Sequence, residues 1–122
     1  RRVFTTFAAD EHRLAFHEKH YGDLAPLIVE GAPDRHFDKV VALVDARGWK
    51  IVAKNRSKGV IEATDTTVLF GFKDDVVIRL MAENGATRID MRSASRQGRS
   101  DFRVNANRIE AFLADLKTAL NG

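Results

Sequence analysis

The sequence predicts an α+β fold in which an antiparallel sheet has one face covered by a long C-terminal helix, in the order strand, helix, strands, helix. Three observations carry this. Asn84-Gly85 separates two runs rich in β-branched residues, the strongest short hairpin signal. Apolar residues recur at helical spacing after Pro33 and again after about residue 100. A single long apolar helical stripe is then available to cover hairpins whose residues alternate between apolar and polar.

Residues 1–24 hold no sustained period. Polar residues such as Thr5, Thr6, Asp10, His12, Glu18 and Lys19 are scattered among isolated aromatics, so this stretch reads as an irregular N-terminal arm ahead of a single α+β domain over residues 25–122. Leu27-Ile28-Val29, bounded by Pro26 and Gly31, is a short edge strand. Phe37, Val40, Val41 and Val44 then fall on one helical stripe, with Pro33 in the first turn and Gly48 at the left-handed position past the end. Asp38, Lys39, Asp45 and Arg47 are left to water. Trp49 opens a strand that runs through Lys54, and Asn55-Arg56-Ser57-Lys58-Gly59 turns it into Val60–Thr67.

A two-residue turn at Asn84-Gly85 fixes the register of the next hairpin. Leu80 faces Ile89, Ile78 faces Met91 and Val76 faces Ser93 on one side, while Arg79 opposes Asp90 on the other. The last helix starts at Ser100 or Asp101, either of which can cap it, and runs through Leu120. Phe102, Ile109, Phe112, Leu113, Leu116 and Leu120 share one of its faces. The whole is similar to helix-grip folds, in which a curved sheet wraps a C-terminal helix and which often hold apolar ligands.

Composition excludes several classes of function. A chain of 122 residues buries roughly two-thirds of its unfolded surface, enough for one core. With no cysteine, there are no disulfides, thiolate metal sites or cysteine nucleophile. The net charge of +3 is a small excess spread along the chain, unlike the clustered basic face that nucleic acid requires. No apolar run approaches the roughly 20 residues of a membrane-spanning helix. The chain starts at Arg1 rather than Met, which points to a processed or truncated product.

Extending the hairpin register places Asp74 opposite Ser95, on the same inward face as Ile78 and Met91. Asn105 lies four residues before Ile109, inside the apolar stripe of the last helix. Asp74, Ser93, Ser95 and Asn105 are therefore expected to converge where the helix start meets the sheet, with Asp65 joining from the preceding strand. Two readings stand side by side. These groups satisfy one another, as buried polar groups must, or they form a site for an anion or polar headgroup. Arg96, Arg99 and Arg103 surround a Gly98 loop that leads into the helix start at Asp101, where free backbone N–H groups favour negative charge. Pairing of Arg96 or Arg99 with Asp74, Asp75 or Asp101 is the simpler alternative.

Other chemistry finds little support. His17 and His20, with His12 nearby, lack the spacing and carboxylate of a zinc-protease helix, so no metal is expected. His36 sits at a helix start. Ser93, Ser95 and Ser100 have no nucleophile-elbow setting. Asp74 and Asp75, adjacent on a strand, point to opposite faces and cannot share a proton. No catalytic residue and no cofactor is assigned.

The segments Asp65-Thr66-Thr67, Phe70-Gly71-Phe72-Lys73-Asp74-Asp75 and Arg92-Ser93-Ala94-Ser95-Arg96, with Gly48-Trp49, Gly59 through Asp65, Gly98 through Asp101, Asn105 and Arg108, resemble the family catalogued as domain of unknown function 1499. The resemblance covers about residues 21–118 and is poor before Tyr21. It implies bacteria or plastid-bearing organisms, and a signal or membrane segment ahead of the domain. It therefore implies a periplasmic or membrane-associated setting, with no established reaction. The expected function is a non-enzymatic envelope domain. Its partner is a small anionic or lipid-like ligand or an envelope protein, held through Asp65, Asp74, Ser93, Ser95, Arg96, Arg99, Asp101 and Asn105. The alternatives are a structural or assembly module without a ligand, and an enzyme using Asp74 or Asp65 as acid or base.

Overall fold

The computed structural model describes residues 26–66, 71–96 and 102–121. They form β1 (Leu27–Glu30), α1 (Pro33–Ala46), β2 (Lys50–Asn55), β3 (Val60–Thr66), β4 (Lys73–Glu83), β5 (Ala86–Ser95) and α2 (Phe102–Asn121). The five strands make one sheet in the order β1-β5-β4-β3-β2, every neighbouring pair antiparallel. This is the expected α+β class and element order.

The β4–β5 register is the one the turn dictates. Leu80 pairs with Ile89, Ile78 with Met91, Val76 with Ser93, Arg79 with Asp90 and Asp74 with Ser95. Asn84 (φ 52°) and Gly85 (φ 81°) both take the left-handed conformation that a two-residue primed turn needs. β1 is an edge strand on β5. Gly59 is required for another reason: a Cβ there would come within 2.3 Å of the Leu80 carbonyl oxygen, and Gly59 also holds φ +67°. Its own carbonyl accepts from the Leu80 amide at 2.7 Å, so the end of the β2–β3 turn is pressed directly against β4.

Both helices lie on one face of the sheet. Val40 and Val44 of α1, Ile109, Phe112 and Leu116 of α2, and Ile61, Val76, Ile78 and Ile89 of the strands form one buried core. Trp49 stacks on Phe112, ring centroids 5.2 Å apart, and the Arg47 guanidinium lies over both rings while donating to Asp115 at 2.7 Å. The end of α1 is thereby pinned to the middle of α2.

The helix-free face departs from the simple apolar-in, polar-out expectation. Glu62, Asp75 and Val77 point to it and are buried. His36, which its place at a helix start left unremarkable, is buried too; its Nε2 donates to the Glu30 carbonyl at 2.5 Å and fastens α1 to the end of β1. Neither described helix is long and apolar enough to cross a membrane.

Candidate functional site

The inward face of the sheet changes character along β4 and β5. Val76 and Ile78 are followed toward the strand end by Asp74, and Ile89 and Met91 by Ser93 and Ser95. β3 contributes Asp65, the register partner of Asp74. Helical spacing on α2 puts Asn105 one turn before Ile109 and Arg108 three residues after Asn105, so both side chains meet this polar corner.

Arg108 is the hub. Its Nη1 donates to the Ser93 hydroxyl at 2.9 Å and to Asn105 Oδ1 at 2.7 Å. Its Nη2 donates to Asp74 Oδ2 at 2.7 Å and to Asp65 Oδ2 at 3.1 Å. Ser93 donates its own proton to Asn105 Oδ1 at 2.5 Å, and the Asn105 amide nitrogen reaches the Ser95 hydroxyl at 3.4 Å. Ser93 and Asn105 are wholly buried. The side chain of Arg108 is 10% exposed, that of Asp74 8% and that of Asp65 30%, so Asp65 is the solvent-facing member. Two carboxylates around one guanidinium leave one negative charge in excess at the corner, set where burial makes charge expensive unless it is paired.

A second cluster sits back to back with the first, on the opposite face. Asp75, next to Asp74 in sequence, accepts a two-pronged contact from Arg96, both distances 3.0 Å. Thr64 donates its hydroxyl proton to Asp75 at 3.1 Å. The Arg96 amide donates to the Lys73 carbonyl at 2.8 Å, which closes the strand pair at this end. The hydrogen bond to Asp75 raises the Arg96 guanidinium above the ordinary arginine value; burial opposes the shift and the Asp75 charge adds to it. Arg96 is therefore charged at every working pH.

The structure thus brings Asp65, Asp74, Ser93, Ser95 and Asn105 together as the register and the helical period require. It places Arg96 apart from them, on the other face. Arg99 and Asp101 lie outside the described residues, as do Arg103's side chain and the histidines of the arm. Arg108, the residue that joins the rest, enters the sequence reading only through the family resemblance; by its position it is one more surface-type cation on a helix. The signal that could have found it is electrostatic: two like charges directly paired across strands, Asp65 and Asp74, require a cation. Among the described residues no group of three or more His, Asp or Glu side chains is arranged to hold a metal ion.

Over the described residues, fold and corner together define a small α+β domain with a five-stranded antiparallel sheet, two helices on one face and an arginine-centred polar network at one end. The chain belongs to the family described as "Protein of unknown function (DUF1499)", whose model matches residues 4–116. The match begins well before Tyr21, where the resemblance read from the motifs begins. Among curated proteins none matches the chain.

Proposed function

We propose that this domain acts by binding a protein partner in the bacterial envelope, without catalysis, and that the Arg108 corner is the architectural lock that holds its helix on its sheet. One observation carries the lock and turns the binding reading from a small anion toward a protein partner: both terminal nitrogens of Arg108 are committed to protein oxygens, on Asp65, Asp74, Ser93 and Asn105. Arginine recruits a carboxylate or phosphate with those same nitrogens. Arg96 is likewise engaged, with Asp75. A small anion would have to break existing pairs before gaining its own, which argues against the anion reading at this end of the fold. The same commitment weighs against an acid or base at Asp74, which lies buried against the guanidinium. The envelope setting rests on the family resemblance.

Native mass spectrometry of the protein isolated from its own host, after mild cross-linking of envelope extracts, tests this reading. A stoichiometric protein complex without a retained small molecule supports it. A monomer carrying a small anion or lipid contradicts it.

The enzyme reading keeps one point in its favour, the partial exposure of Asp65. Turnover of any substrate class that is abolished by Asp65→Asn, with the fold intact, would establish it over the binding reading.

A further inference from the structure

The Arg108 corner has an open side. Asp65 Oδ2 accepts from Arg108 Nη2 at 3.1 Å, and among the described residues nothing donates to its other oxygen. Asp65 also faces water, whereas Asp74 is closed in against the same guanidinium. One guanidinium cannot neutralise both carboxylates, so the excess negative charge of the corner is carried at its solvent-facing end.

Two apolar side chains border that end. Val104 lies one helical turn before Arg108, on the same flank of α2, and is 46% exposed. Phe72 lies two residues before Asp74, at the entry to β4, and is 38% exposed. They are two of the four large hydrophobic side chains exposed among the described residues; the others, Ile28 and Val52, sit on the edge strands β1 and β2 at opposite margins of the sheet.

An open carboxylate oxygen between exposed apolar side chains suits a cation that carries hydrocarbon with it, not a hydrated ion. A divalent metal takes about six or more oxygens, and the donor set for one is not assembled among the described residues. An arginine fits better. Its guanidinium is weakly hydrated, donates to a carboxylate and lies flat on an aromatic ring, while its stem and its neighbours cover apolar surface. The fold itself uses this chemistry twice: Arg47 lies over Trp49 and Phe112 while paired with Asp115, and Arg56 lies over Phe37 while paired with Asp34 and Asp38. We propose that Asp65, Phe72 and Val104 form the docking surface for the protein partner, and that the partner enters it with an arginine flanked by apolar residues. This rests on the protein-partner reading above and names the contact that such a partner makes.

The probe is the peptide acetyl-Leu-Arg-Leu-amide, set against acetyl-Leu-citrulline-Leu-amide, which keeps the shape and loses the charge. Binding to the whole chain is followed through its backbone amide resonances. Saturable shifts centred on Asp65, Phe72 and Val104 are expected, with the citrulline peptide bound about 5-fold more weakly or worse. Asp65→Asn, with its spectrum elsewhere unchanged, should bring the two peptides to equal affinity, and Asp65→Glu should restore the preference. Val104→Ser, at an exposed position, should weaken both peptides alike and so reads the apolar border without touching the lock. No saturable shift at these residues, no preference for arginine, or a preference that survives Asp65→Asn would each overturn the proposal. Those failures leave the protein-partner reading standing, with the partner seated on another surface. A chain that native mass spectrometry finds without any protein partner overturns both.

Discussion

Asp65 and Asp74 face each other across neighbouring antiparallel strands, and both accept a hydrogen bond from the same nitrogen of Arg108. Like charges in direct cross-strand register repel, so the sheet alone would disfavour this pair. The guanidinium from α2 reverses the sign of the interaction. Helix and sheet are therefore coupled electrostatically at one end of the core and by apolar packing along the rest of it.

The two carboxylates should not be equivalent. Asp74→Asn leaves Arg108 without its most buried counter-charge and is expected to cost about 2–4 kcal/mol. Asp65→Asn removes a half-open partner and relieves repulsion, so about 1 kcal/mol or less is expected. Urea denaturation with an unchanged slope reads the difference; equal costs would mean that Arg108 does not discriminate between them.

Arg96→Ala strips Asp75 of its two-pronged partner. Arg96 is 36% exposed, so solvent screening limits the direct loss, and the cost is set by Asp75, whose side chain is 4% exposed. A loss of about 1–2 kcal/mol is expected. Because the raised guanidinium stays charged, its contribution is fully present below the ordinary arginine value and is lost only as pH rises through the raised one. The Arg96 contribution to stability should therefore be flat from about pH 6 to about pH 9. A contribution that fades with rising pH inside that window would contradict the assignment.

Gly59→Ala and Gly85→Ala separate two reasons for glycine. Both positions have positive φ, but only at Gly59 does a Cβ meet backbone, the Leu80 carbonyl; at Gly85 it meets open space. Thermal unfolding should show a loss of about 1 kcal/mol at Gly85 and about 3 kcal/mol or more at Gly59. A similar loss at both would mean the β2–β3 turn can withdraw from β4.

Much of this architecture is legible in the sequence because local rules are strong there. Asn84-Gly85 fixes a register, and a register of period two carries Asp74, Ser93 and Ser95 to one face without any further information. The helical period does the same for Asn105. Arg108 is not legible in this way, since a long cation on a helix is ordinarily solvated and only the three-dimensional meeting of Asp65 with Asp74 gives it a buried partner. Glu62, Asp75 and His36 fail for a related reason. Polar residues in alternating strands and at helix starts read as wet, and their burial depends on what packs over them rather than on their own neighbours in sequence.

The most direct test of the lock is a double-mutant cycle between Arg108 and Asp74 in urea, using Arg108→Met, Asp74→Leu and the pair. The account predicts that Arg108→Met costs about 3 kcal/mol or more, because it strands the buried Asp74 carboxylate, and Asp74→Leu about 2 kcal/mol or more, because Arg108 is left with the half-open Asp65 alone. It predicts that the double change recovers at least about 2 kcal/mol of the summed loss, since the buried guanidinium and the buried Asp74 carboxylate are then both gone and the remaining carboxylate, Asp65, is partly open to water. Additive losses, or single variants as stable as the parent, would contradict it.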